Sequence, residues 1–441
     1  MSQILILIRD YNDADHIIPL ACALGAAKKP VWVLSVNPQM NMEHDVRFNI
    51  LKKTPTISSG DALHVYPQTI AGWLVSRLIA FIRPRHSIRT TKAGLLARIY
   101  QRLIWAHDRI CDDHWAESML RKLAPDAIVL EWGNYNKSKL GEIVRAAHHL
   151  AIPMIAVPHG LNVMSNKFQS WQSAEEKTVL PYGKQLVNID WVVSQHRHWS
   201  DYMIAGGVNP KKILIMGSAR FCPEWHNVLK QAYHNHSFRS GVSEDRRLKV
   251  VYMDHGRFWR VRGDVVEESL RKIACLDFID LVIKPSTRTN MFSNPTISQL
   301  SENVSDVPSP VLVEWADVVI CAASSILVEA LLQKKPLIYP KHHHENTGII
   351  EKYGACWQVS DDDALINALK NLSSNAGELP YDEDTVDMFL NHLICGDQSN
   401  RDILKDHVEF IQAVAERGAP ALEKIVDCFG VPAMNQESLN A

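Results

Sequence analysis

A histidine beside a glycine, a glutamate closing an apolar run and a serine pair before a helix are the residues here with chemistry to offer. In Pro158-His159-Gly160 the imidazole follows the short run Met154 to Val157. Imidazole titrates near neutrality, so His159 can take a proton from an attacking hydroxyl. Gly160 lets the backbone turn sharply or approach a substrate closely. Glu131 ends the preceding run, in Leu130-Glu131-Trp132-Gly133-Asn134. It is the rival general base, or the carboxylate that binds an acceptor hydroxyl or fixes His159. The nearby Asn162 and Lys167 are candidates to orient an acceptor.

A second group reads as an anion site. Asp317 to Cys321 has the β-branched apolar character of a buried parallel strand, and Ala322-Ala323-Ser324-Ser325 is a small-residue turn into a helix over Ile326 to Gln333. The first N–H groups of a helix lack partners, so such a start attracts phosphate; the serines otherwise serve as caps. Glu329 follows Ser325 by about one helical turn, a spacing suited to sugar hydroxyls. Lys284, Ser286, Thr287 and Arg288 cluster after the strand Asp280 to Ile283, and suit a monophosphate or diphosphate. Arg257, in Asp254-His255-Gly256-Arg257, occupies the same kind of strand end.

Metal chemistry is the lesser reading. Adjacent histidines in His342-His343-His344-Glu345-Asn346 point in different directions in an extended loop, and no partner pair at helical spacing appears. That loop is expected over the nucleotide or sugar, with Glu345 or Asn346 touching hydroxyls. Asp361-Asp362-Asp363 reads as an acidic helix N-terminus. No GxGxxG follows the first strand and no GxxxxGK[ST] occurs, so dinucleotide and P-loop chemistry lose their usual support. No metal and no cofactor are expected.

The elements that must position these groups alternate. Strands are expected over Gln3 to Ile8, Pro30 to Val36, Asp126 to Leu130, Met154 to Val157, Asp190 to Ser194 and Lys212 to Met216. Helices fall between them over Ala14 to Lys28, Lys139 to Leu150 and Arg197 to Ala205. Lys230 to Arg247 has the polar composition of a linker. A second series follows, with strands over Leu248 to Met253, Asp280 to Lys284, Asp317 to Cys321 and Leu337 to Tyr339. The expected architecture is α/β: two doubly wound, Rossmann-like parallel-sheet domains facing a cleft. The first spans 1–229, the linker 230–247, the second 248–383, and C-terminal helices 384–441. One segment, 62–111, departs from the plan. Its only acidic residue is Asp108, against Arg77, Arg83, Arg85, Arg89, Lys92, Arg98, Arg102 and Arg109. Together with Trp73, Leu74, Leu78, Ile79, Phe81 and Ile82 it reads either as a helical insertion resting on an anionic membrane surface or holding a lipid-linked acceptor, or as an amphipathic pair packed on the first domain.

Composition narrows the classes. With 441 residues, 46% of them hydrophobic, and a net charge of −2, the chain is globular, and its charge gives no support to nucleic-acid binding. Eight scattered cysteines, several inside apolar runs (Cys22, Cys275, Cys321), read as buried thiols of a reducing compartment. The start carries no secretory pattern, and no apolar run approaches the ~20 residues that span a bilayer. A cytoplasmic location, peripheral on the inner membrane face if the basic segment binds lipid, is the expectation.

The order of these motifs carries a family resemblance. A His-Gly loop, a linker, a Lys-Pro turn, Ser324-Ser325-x-x-x-Glu329 and Lys335-Pro336-x-x-x-Pro340 resemble bacterial surface-polysaccharide transferases of the GT-B fold. Within that group the chain is similar to the CDP-glycerol glycerophosphotransferases and capsule enzymes. Their Trp-His-Gly loop, with a proposed basic histidine, corresponds to Pro158-His159-Gly160, and their His-Pro turn to Lys284-Pro285. The resemblance implies transfer from a nucleotide-activated donor, held by Ser324, Ser325, Glu329 and Lys284, to a hydroxyl of a glycan or lipid-linked acceptor deprotonated by His159 or Glu131. Two alternatives stay open. The same fold could serve an epimerase of the UDP-N-acetylglucosamine 2-epimerase type, or a non-catalytic scaffold in a polysaccharide assembly.

Overall fold

All five residues of Ile4–Ile8 are fully buried, as expected where helices cover both faces of a parallel strand. In the computed structural model this strand (β1) lies inside a seven-stranded sheet. The structure describes residues 2–430 except 41, 43–44, 83–94, 134, 136–138, 162, 164–181, 235, 240–246, 256–260, 287–291, 303, 323, 375–378, 400 and 418. The other strands of this sheet are β2 (Val31–Ser35), β3 (Ile57–Asp61), β4 (Ala127–Glu131), β5 (Met154–Val157), β6 (Trp191–Ser194) and β7 (Ile213–Ile215). Their order is β3-β2-β1-β4-β5-β6-β7, and every pairing is parallel. The chain thus builds outward from β1 to β3, then reverses and builds the other way from β4. Neighbouring crossovers diverge at that reversal, and a doubly wound sheet places ligands there, beyond the strands' C-terminal ends.

The chain divides into two compact units, the first formed by residues 1–160, 181–232 and 393–441. Its last part is therefore the tail. The helix Ile403–Ala415 packs on the first helix, Tyr11–Ala26, and Phe410 meets the Trp191 ring edge-on at 5.9 Å. Lys29 pairs with Glu416 at 3.1 Å. Gly217 makes this return possible. It has φ +76°, and a Cβ there would lie 2.3 Å from the Ile394 carbonyl, which accepts the Ser218 N–H.

The second unit, 161–180 and 233–392, carries a five-stranded parallel sheet. Its strands are β8 (Leu248–Met253), β9 (Ile279–Lys284), β10 (Val318–Cys321), β11 (Leu337–Pro340) and β12 (Trp357–Val359), in the order β12-β11-β10-β8-β9. The reversal here falls between β8 and β10. Val250, Leu270, Ile283, Ile320, Ile338 and Leu369 form the centre of its core. The C-terminal helices do not form a block of their own: Glu383–Leu390 belongs to this unit, the later ones to the first. Cys275, expected to be buried, is exposed because it caps the C-terminus of the helix Gly263–Ala274. Among the described residues no helix is long and apolar enough to cross a membrane.

Candidate functional site

Three adjacent strand ends of the first sheet bring together Asp13, Glu131 and His159. After β1 the chain turns directly into the helix Tyr11–Ala26 through a capping box made by Asp10 and Asp13. Asp13 Oδ2 accepts the backbone N–H groups of Arg9 (2.9 Å) and Asp10 (2.8 Å). Its other oxygen, Oδ1, is left for His159 Nδ1 at 2.6 Å. His159 arrives on the loop after β5. Glu131 is the last residue of β4, with Oε2 3.4 Å from the same ring nitrogen and Oε1 2.7 Å from the Arg9 guanidinium. Gly133 leaves the Glu131 carboxylate its place, since a Cβ there would stand 2.7 Å from both oxygens.

Burial sorts the roles. Both carboxylates are fully buried, while the His159 side chain is 27% exposed. The imidazole is the member of the cluster that meets solvent. With Nδ1 committed to Asp13, Nε2 is the nitrogen that can exchange a proton with a bound molecule. Burial pulls the His159 pKa down, but the hydrogen bond and charge of Asp13, then the charge of Glu131, outweigh it and hold it above its ordinary value. The Glu131 pKa is raised as well. Burial and the negative Asp13 push it up to about 7, against the pull of His159 and Arg9. The cluster therefore holds a carboxyl poised to change protonation near neutral pH beside an imidazole held toward its charged form. Nearby His16 is held neutral by burial and by the positive charges of Arg220, His159 and Arg47. Arg47 and Arg220 both pair with Asp15.

The three side chains also have the spacing of a metal-ligand set. Arg9 beside Glu131, and the two backbone N–H groups on Asp13, already supply positive charge and donors there. The arrangement fits proton transfer better than cation binding. The set His342, His343 and Asp362 is likewise engaged: His343 lies 2.9 Å from the Ser269 hydroxyl and 3.3 Å from that of Tyr252, and Asp362 pairs with Lys272 at 2.6 Å.

In the second unit, Ser324 and Ser325 follow β10 at the strand reversal, both half-buried. Ser324 Oγ accepts the Ile326 N–H at 3.4 Å, and Ser325 opens the helix Ile326–Leu332 without a side-chain cap bond. Glu329 is buried and accepts from Gln333 Nε2 at 2.7 Å, a contact along its own helix. Asn346 is buried in the loop beyond β11, and Ser286 is half-buried just past β9. Lys284, expected at a phosphate, instead directs its ammonium to the carbonyls of Val304 (3.0 Å) and Ser305 (2.6 Å). Burial pushes its pKa down to about 8. It is a buried strap for that loop. Arg257, Thr287, Asn162 and Lys167 lie outside the described residues. A hollow lined by Arg247, Asp317 and Lys335 sits at the opposite, N-terminal edge of this sheet, where α/β folds do not place their ligands.

Sequence reasoning missed Asp13, Arg9 and the supporting His16, Arg47 and Arg220. Asp13 carried the same signal as His159, a titratable group just beyond an apolar strand. That signal was masked because an acidic residue in a helix's first turn is also an ordinary cap.

No family model and no curated protein matches the sequence. Solved structures do. A UDP-N-acetylglucosamine 2-epimerase is 12% identical, with 95% of this chain and 98% of that chain covered and a TM-score of 0.54. MnaA of S. aureus, solved with UDP, is 12% identical over 94% of this chain and 97% of that chain, with a TM-score of 0.53. At such identity the likeness is one of fold: two Rossmann-like parallel sheets in succession, the GT-B type.

Proposed function

We propose that this chain is an enzyme acting on a nucleotide-activated sugar, with Asp13, Glu131 and His159 as its proton-transfer group. The observation that carries the reading is a fully buried carboxyl titrating near 7, beside an imidazole held by a second buried carboxylate, at the strand reversal of the first sheet. Buried ionisable groups are costly, and a buried carboxyl raised to about 7 beside an oriented imidazole is the kind of pair that acid–base chemistry uses. The nucleotide is assigned to the second unit, at the turn Ser324-Ser325 after β10.

The reaction put first is epimerisation of a UDP-N-acetylhexosamine. Support comes from the fold shared with a UDP-N-acetylglucosamine 2-epimerase and with MnaA solved with UDP. In such a reaction a proton leaves a sugar carbon and one returns on the opposite face, with no acceptor and no net redox change. His159, the member of the cluster that meets solvent, would exchange the proton through Nε2, with Asp13 and Glu131 on its other ring nitrogen. Transfer to an acceptor hydroxyl is the second reading. His159-Gly160 and Ser324-Ser325 resemble the polysaccharide transferases, and a histidine oriented by a carboxylate at 2.6 Å is the arrangement that deprotonates a hydroxyl.

Incubation with UDP-N-acetylglucosamine alone, in deuterated water, separates them. Deuterium entering the sugar and appearance of an epimer, both lost in His159→Ala with UDP affinity retained, is the expected result. Turnover that begins only when a glycan acceptor is added would replace epimerisation by transfer. Calorimetry that finds no UDP, CDP or GDP binding to the folded protein would refute both readings and leave a scaffold.

A further inference from the structure

We propose that the helices Ile70–Ile82 and Leu95–Ile110 seat the protein on an anionic membrane surface. Whatever the reaction, these helices are built the wrong way round for a helix that serves only the fold. Ile70–Ile82 turns Gly72, Ser76 and Ile79 inward, with Gly72 so close to the Pro67 carbonyl that a Cβ would lie 2.2 Å from it. Its larger apolar side chains face out: Trp73, Leu74 and Leu78 are exposed, with Ile70 at 80% and Phe81 at 88%. Leu96, Ile99 and Trp105 are exposed on the second helix, which packs against the first. Scattered exposed apolar residues are ordinary, but Ile70, Trp73, Leu74, Leu78 and Phe81 recur at three- and four-residue spacing along one face of the first helix, and such a stripe marks a contact surface.

Charge identifies the partner. From residue 62 to 107 the sequence has no aspartate or glutamate, and it contains Arg77, Arg83, Arg85, Arg89, Lys92, Arg98 and Arg102. Arg77, Arg98, Arg102 and Arg109 are exposed on these helices. Arg109 lies over the Trp105 ring at 4.0 Å and Arg77 near the Trp73 ring at 5.7 Å. Tryptophan beside arginine suits the headgroup layer, where the ring is half-solvated and the cation meets lipid phosphate. A second copy of this chain is a poorer occupant, because a two-fold contact would set the basic surface against itself. The helix Ile70–Ile82 is about 20 Å long, too short to span the ~30 Å apolar core, so it lies on the surface.

The test is flotation of the full-length protein with vesicles of equimolar phosphatidylglycerol and phosphatidylcholine, alongside vesicles of phosphatidylcholine alone. The protein should float with the anionic vesicles, and high salt should release it. Trp73→Gln/Leu78→Gln/Phe81→Gln and Arg77→Gln/Arg98→Gln/Arg102→Gln should each lower vesicle affinity by about tenfold or more. Both should keep the wild-type circular dichroism and melting curve, since the altered side chains are exposed. Absence of wild-type flotation, or undiminished flotation of both folded variants, would overturn the proposal. So would sedimentation velocity showing a wild-type dimer that the apolar triple variant converts to monomer without loss of flotation.

Discussion

Replacing Glu131 by glutamine tests the electrostatics of the cluster most directly. In the folded protein this carboxyl is held up at about 7 from an ordinary 4.5. That difference is worth about 3 kcal/mol of disfavoured ionisation, at about 1.4 kcal/mol per pH unit. The direction follows from proton counting. Between the ordinary value and about 7 the folded state holds a proton that the unfolded chain has released, so the wild type loses stability as pH rises through that window. Above it the loss is complete. Glutamine mimics the protonated form at every pH. Urea unfolding of both proteins should therefore give nearly equal stability at about pH 5, and at about pH 8 the glutamine variant should be the more stable by about 3 kcal/mol. His159, with its raised pKa, also loses its pairing energy as pH rises, but it does so in both proteins. The competing force is the Arg9 guanidinium at 2.7 Å. If Arg9 dominated, Glu131 would be ionised throughout and the variant would be the weaker protein at about pH 8. That result, or a difference independent of pH, would refute the account of burial and Asp13 as the controlling terms.

Lys284→Met should cost about 1–3 kcal/mol, because the Val304 and Ser305 carbonyls lose their donor, while UDP affinity measured by calorimetry stays within about twofold. The same lysine holds its proton less firmly in the fold than in the unfolded chain. Wild-type stability should therefore rise with pH between about 8 and 10.5, and the methionine variant should lack that rise in urea titrations. Ser324→Ala/Ser325→Ala should weaken UDP binding by about tenfold, as calorimetry on the folded variant would show.

The central strands were legible because a parallel strand covered on both faces must be apolar throughout. Ile4–Ile8, Val318–Cys321 and their kin show that property without reference to the rest of the chain. Two of the four edge strands, β3 and β12, were not. Ile57–Asp61 reads ISSGD and Trp357–Val359 reads WQV; each is half-exposed and is a strand because β2 or β11 offers it a ladder. The functional candidates divide in the same way. His159 and Glu131 announced themselves by chemical type at strand ends, which is a local property. Their partnership with Asp13, 146 residues from His159, exists because the sheet order sets β1, β4 and β5 side by side. Lys284 was misread for the complementary reason: its type suits phosphate, but packing turned it toward two loop carbonyls. Residue type is written along the chain and so can be read from it. Neighbourhood, burial and the pKa values that depend on them arise only when distant segments exclude water together, and those the folded structure decided.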